Sequence, residues 1–306
     1  MNIHQIRGYC SRLLESYWKN QPTSVRYPPS SDDTPLANSF ADFFTSKIDK
    51  IHQGLVERKI SVKFVVQSFV TLLRFTLEEI NKFSRKPLSK SCELDPLPAV
   101  VLKGCLTVLL PTITRIINLS LSTGVVPDAL KVATLLPTLK KSDADFEQFQ
   151  NFRRISNLKV VSKLVEKAVA IQLTDHVMAH HLDETFQSAY KNFHSTKTAL
   201  VRVQNDILCA IDNKESVILL LLDLSAAFDT VDHSILLSRL HDRFGVNGTA
   251  AAWFESYLTS RTQFVRVNDC KSTQCSLERG VPQGSVLGPL LYLLYTSPIA
   301  DIIKFH

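Results

Sequence analysis

"LLLLDLSAAFDTVDH", residues 219–233, sets an aspartate, Asp223, at the end of a run of leucines. The apolar stretch 216–222 has strand length and is apolar without alternation, which predicts a strand buried on both faces. A buried strand that ends in Asp presents a carboxylate at the mouth of a sheet, half shielded yet reachable. That position suits a hard divalent cation with oxygen ligands, Mg²⁺ above all. It equally suits a residue that caps the turn after the strand, and position alone does not separate the two. Phe228, five residues on, sits either beside whatever the ion holds or in ordinary core packing. Asp229 and Asp232 read as acids at the N-terminus of the helix opened by "HSILLSRL".

A second constellation is "RGVPQGSVLGPLLYLLY", residues 279–295. Pro282, Gln283 and Gly284 break the chain just ahead of an apolar helix predicted over 285–295. The glycine permits close backbone approach to a ligand, and Gln283 offers an amide to a base or sugar. Alone this triplet is weak. About 60 residues after an Asp-x₄-Phe-Asp it is much stronger.

The chain has 306 residues, 45% of them hydrophobic and 21% charged, which places it among globular rather than disordered proteins. Its net charge of +6 favours a polyanionic partner only mildly. The excess concentrates in 131–167, where Lys131, Lys140, Lys141, Arg153, Arg154, Lys159, Lys163 and Lys167 face Asp143, Asp145, Glu147 and Glu166. Taken alone, that segment reads as a solvated face. The six cysteines form no CxxC pair, so they read as reduced and as non-ligands, and with no apolar signal segment the expectation is an intracellular protein, cytoplasmic or nuclear. No apolar run approaches the ~20 residues of a membrane span.

Along the chain, 1–35 reads as a poorly ordered segment and linker, rich in Pro and Ser over 21–35. Phe40, Phe43, Phe44, Ile48 and Ile51 recur at helical spacing. Thr76 and Glu79 stand at capping-box spacing. Helices are expected over 98–109, 111–122, from 160, and over 196–213, 232–244 and 248–259. Strands are expected over 132–136 and just after 151, and a hairpin-like pair after 261.

These motifs closely resemble the reverse transcriptases of non-LTR, LINE-type retrotransposons. The resemblance rests on "LLDLSAAFDTVDH" and "GVPQGSVLGPLLYLLYTSPI", and upstream on "VATLLPTLKK", "NFRRISNLKVVSKLVEKAVAIQL", "FQSAYKNFHSTKTAL", "ELDPLPAVVLKGC" and "LANSFADFFTSKIDKI". It covers about 36–306. It implies an α+β, helix-rich, right-hand polymerase with a short palm sheet: a helical region over 36–130, fingers over 131–215 and an incomplete palm over 216–306. It implies Asp223 as catalytic residue and Mg²⁺ ligand, and Phe228 as the aromatic gate against a ribose 2′-hydroxyl. Pro282, Gln283 and Gly284 lie against nucleotide and template, and Arg153, with Lys140 and Lys141 nearby, meets the triphosphate. The implied partners are an RNA template, a DNA primer and a dNTP, with no membrane. The sequence is silent on oligomeric state.

The sequence departs from the family pattern at Arg154, where Pro is usual, and at Thr138 and Phe193. The aromatic-Ala-Asp-Asp hairpin that would carry further metal carboxylates is not found after Leu294. The expectation is therefore a fragment of an RNA-directed DNA polymerase that does not catalyse by itself. The alternative is a non-enzymatic nucleic-acid-binding remnant.

Overall fold

Helix α1, Asp33–Gln53, opens the computed structural model, which describes residues 25–30, 32–54, 68–84, 92–224 and 226–304. The Asp32 carboxylate accepts the Thr34 N–H at 2.9 Å and caps the helix. Phe40, Phe44 and Ile48, four residues apart, fall on one buried stripe. Helix α2, Leu77–Ser84, starts with the expected capping box: Thr76 N–H donates to Glu79 Oε2 at 2.8 Å, and Glu79 N–H to Thr76 Oγ1 at 3.3 Å.

Helices α3, Ala99–Gly104, and α4, Leu106–Thr123, meet at Cys105 rather than ahead of Pro111, which lies inside α4. The break moves because Leu106, Leu110, Ile113, Ile117 and Leu121 form one continuous buried stripe, and tertiary burial outweighs one lost backbone hydrogen bond. By length and composition α4 is apolar enough to cross a membrane, but that stripe is sunk in the helical core. Gly124 ends α4 in the left-handed region, with φ 68°.

The sheet comprises β1 (Val132–Leu139), β2 (Phe152–Asn157), β3 (Thr262–Val267), β4 (Cys270–Lys271) and β5 (Cys275–Ser276). Its order is β2-β1-β3-β4, with β5 also on β3; β1 and β2 are antiparallel and β1 and β3 parallel. β1 runs past the expected end through Pro137. β3 pairs only with 132–135, so Pro137 lies where β1 has a neighbour on one side alone and its missing N–H costs no ladder bond. Helix α1 covers this sheet, with Phe40 and Phe44 packed on Leu135, Phe152, Val265 and Val267.

A second, larger core gathers helices α5 (Val160–Ala179), α7 (His233–Phe244), α8 (Gly248–Leu258) and α9 (Gly288–Thr296) around α4. The expected stripe of α5, Leu164, Val165, Ala168, Val169 and Leu173, is buried throughout. Helix α6, Thr196–Asp212, buries none of its residues; α10, Pro298–Lys304, follows α9. None of the described cysteines is in a disulfide.

The strand expected over 216–222 does not form. Residues 215–224 carry no regular structure; Ile218 is 94% exposed, and Leu221 and Leu222 are each 82% exposed. A strand becomes stable by pairing with others and by covering a hydrophobic face. Among the described residues none pairs with this run, and the sheet that does form is built from β1 to β5. The architecture is α+β, as expected; its sheet is built from the strands expected near 132, 152 and 262, without the one expected over 216–222.

Candidate functional site

Strand β2 organises the site through the period-2 alternation of its side chains. Phe152, Arg154 and Ser156 are buried on one side, while Arg153 is exposed on the other. Each of the three inner residues reaches a different part of the molecule. Phe152 packs edge-on to Phe40 of α1, with ring centroids 4.9 Å apart. Arg154 meets the turn at 226–230: its Nε and Nη2 both donate to Asp229 Oδ1 at 2.9 Å. Ser156 N–H donates to the Gln283 carbonyl at 2.7 Å and ties the strand to the Pro282-Gln283-Gly284 turn.

Two glycines let these turns come together. Gly284 has φ 120°, and a Cβ there would lie 2.6 Å from the Ser156 carbonyl oxygen. The close approach read from the sequence is thus to β2 of the same chain. Gly280, at φ 84°, would place a Cβ 2.8 Å from the Asp229 carbonyl oxygen. Around it, Gly280 N–H donates to the Val231 carbonyl at 2.7 Å and Val281 N–H to that of Phe228 at 2.8 Å. The turn bearing Phe228 and Asp229 is held by these bonds and by Arg154, without a preceding strand.

Between the elements lies a cleft of ≈ 170 Å³. Lys140, Arg153, Phe228 and Gln283 line it, as do Lys47, Arg154 and Asp229. Four residues named from the sequence are therefore brought together. Pro282 is buried beside them and Gly284 is exposed against β2. Phe228 is half-buried, its ring 5.0 Å from that of Tyr292 on α9 and 6.3 Å from that of Tyr190. Asp223 is not among the lining residues; it is exposed at the end of the unpaired run. Asp232 caps α7 as expected, accepting from Ser234 N–H and Ile235 N–H. Asp229, expected in the same role, is instead the counter-ion of Arg154.

The basic segment divides on folding. Arg154 is buried on Asp229, and buried Lys131 lies 3.1 Å from Asp128, while Lys140 and Arg153 stay exposed at the cleft. Lys47 escaped the sequence reading. Burial first, then the charges of Lys140 and Arg154, hold its pKa below the usual lysine value, with Asp229 opposing. Its only signal was a cation beside the Phe40, Phe44, Ile48 stripe.

Glu166 of α5, 1% exposed, holds the far side of the turn: its Oε2 accepts Val286 N–H at 2.6 Å and Leu287 N–H at 3.3 Å, and its Oε1 accepts the Tyr257 hydroxyl at 3.2 Å. Burial raises its pKa and the neighbouring Arg261, itself 1% exposed, opposes the rise. Among the described residues no group of three or more His, Cys, Asp or Glu side chains gathers where an ion would be held. Asp223 alone does not make a Mg²⁺ site, and the residues described here do not fit one.

Comparison with known proteins identifies the family. Residues 139–305 match the family "Reverse transcriptase (RNA-dependent DNA polymerase)". The chain is 30% identical over 310 residues to "Probable RNA-directed DNA polymerase from transposon BS" of Drosophila melanogaster, covering 98% of this chain and 34% of that protein. It is 31% identical over 232 residues to "RNA-directed DNA polymerase from mobile element jockey" of the same organism, covering 76% of this chain and 25% of that one. With "Probable RNA-directed DNA polymerase from transposon X-element", also of Drosophila melanogaster, it shares 37% identity over 149 residues, 48% of this chain and 16% of that one. The chain spans about a third or less of the length of these relatives. It belongs to the reverse transcriptase (RNA-dependent DNA polymerase) family, in the branch of non-LTR retrotransposons.

Proposed function

We propose that this chain is the nucleotide-receiving part of an RNA-directed DNA polymerase that adds deoxynucleotides to a DNA 3′ end along an RNA template. One observation carries the reading: Lys140, Arg153, Phe228 and Gln283, from separate segments, line a single cleft. In this reading 131–215 serve as fingers and the residues from 216 as part of the palm. Arg153 and Lys140, exposed cations at the rim, take the triphosphate, for which charge-assisted hydrogen bonds are the strong kind. Phe228, backed by Tyr292, bounds the sugar. Gln283 offers its amide to nucleotide or template, and Pro282 and Gly284 set the turn that carries it. Mg²⁺ belongs to the reading as the family's general requirement, with Asp223 as its proposed ligand. Because the residues described here do not complete a metal site, no step is derived through it.

A second reading, nucleic-acid binding without catalysis, is favoured by the exposure of 217–224 and Asp223 outside the cleft. Primer extension separates the two. The chain of residues 1–306 should bind an RNA–DNA hybrid in a salt-sensitive manner and extend no primer. A chain lengthened to match its transposon relatives should incorporate dNTPs, and Asp223→Asn should abolish that. Hybrid binding without incorporation by the lengthened chain would favour the second reading.

A further inference from the structure

The cleft carries two cations besides Lys140 and Arg153. Lys47 comes from α1 and Arg154 from β2. Arg154 is 6% exposed. Asp229 occupies its Nε and Nη2, while its buried Nη1 has no hydrogen-bond partner among the described residues. A buried guanidinium N–H without an acceptor is costly, and a ligand oxygen relieves that cost. Asp229 is the one carboxylate among the described lining residues, against Lys47, Lys140, Arg153 and Arg154.

We propose that Lys47 and Arg154 are additional phosphate-binding residues of this cleft, with Arg154 Nη1 donating to a phosphate oxygen and Asp229 holding the guanidinium in place. This rests on the reading that the cleft receives a nucleotide's phosphates. The planar guanidinium, held at two nitrogens by Asp229, presents the third at a set angle, which a lysine cannot reproduce. Lys47 adds a point charge from α1. Burial first, and then its cationic neighbours, depress the pKa of Lys47, and an anion in the cleft would offset the part due to those neighbours. In this chain α1, bound to the sheet through its phenylalanines, is thus part of the ligand site as well as of the core.

The test is calorimetric titration of the 306-residue chain with inorganic tripolyphosphate at constant ionic strength. Lys47→Met and Arg154→Lys should each weaken binding about tenfold, the scale of one lost charge-assisted hydrogen bond. Lys50→Ala, an exposed cation one turn along α1, should leave affinity within about twofold. Arg154→Lys keeps a cation for Asp229 while removing the third donor, and thermal melting checks that the fold survives; if it does not, Lys47→Met decides. Full affinity in a folded Lys47→Met or Arg154→Lys variant would overturn the proposal. So would equal weakening by Lys50→Ala, which would mean diffuse attraction, or an absence of binding by the unsubstituted chain. None of these results bears on dNTP incorporation by the lengthened chain, so the polymerase reading is tested apart.

Discussion

Gly284 shows how one residue type decides whether the cleft forms at all. Its φ of 120° and the Ser156 carbonyl 2.6 Å from a would-be Cβ leave no room for a side chain. Gly284→Ala should therefore cost at least about 1–3 kcal/mol, the scale of an enforced backbone strain. Gly54, at φ −85° with its nearest would-be contact at 3.6 Å, is the comparison: Gly54→Ala should be neutral or stabilise by about 0.4–1 kcal/mol. Urea denaturation of both variants measures the contrast, and equal losses would refute the packing account. Phe228 calls for a functional readout. In a lengthened chain, Phe228→Val removes the wall beside the sugar, and ribonucleotide use should rise roughly 10-fold or more. A variant that rejects ribonucleotides as strongly as its parent would reduce Phe228 to a packing partner of Tyr292.

At the scale of elements, the contacts between α7 and its neighbours predict a pH response. His233 Nε2 lies 2.8 Å from the Gly280 carbonyl and His176 Nε2 2.8 Å from that of Phe244. Burial is the largest influence on both, and it holds their pKa values below the ordinary 6.5. The unfolded chain takes up these protons as pH falls through 6.5, while the folded chain resists until a lower pH. Stability should thus be intact above that value and decline below it, toward the depressed folded values. Urea midpoints between neutral pH and about pH 5 should fall, and His233→Gln should narrow the difference. An unaltered slope in that variant would exclude His233 as a contributor. Glu166 links α5 to the turn before α9. Glu166→Leu strands Arg261 and two backbone N–H groups in the core, at an expected cost of about 3–5 kcal/mol, which the same denaturation series would measure.

For the whole molecule, the run 217–224 is the open question of architecture. Its leucines are bare, with Leu220 75% and Leu222 82% exposed, and its backbone pairs with no strand among the described residues. Such a segment invites association with other chains. Leu220→Lys with Leu222→Lys should leave the melting temperature unchanged and reduce self-association in size-exclusion chromatography. A drop of several degrees would place these leucines in a core after all. Several elements were readable from local pattern. The 3.6-residue stripes of α1 and α5, the Thr76–Glu79 cap and the Asp232 cap are set by neighbours a few positions apart, and each is present as the sequence implied. The residues Lys140, Arg153, Phe228 and Gln283 could be named from the sequence because the motifs that hold them resemble those of a known family. Three things were not. That Asp229 pairs with Arg154, that Gly284 rests on Ser156 and that Lys47 faces the cleft all depend on contacts between segments 75, 128 and more than 90 residues apart. The 216–222 run is the converse case. Its apolarity is local, but a strand exists only where partners supply its hydrogen bonds, and only the tertiary structure shows that no described residue pairs with it.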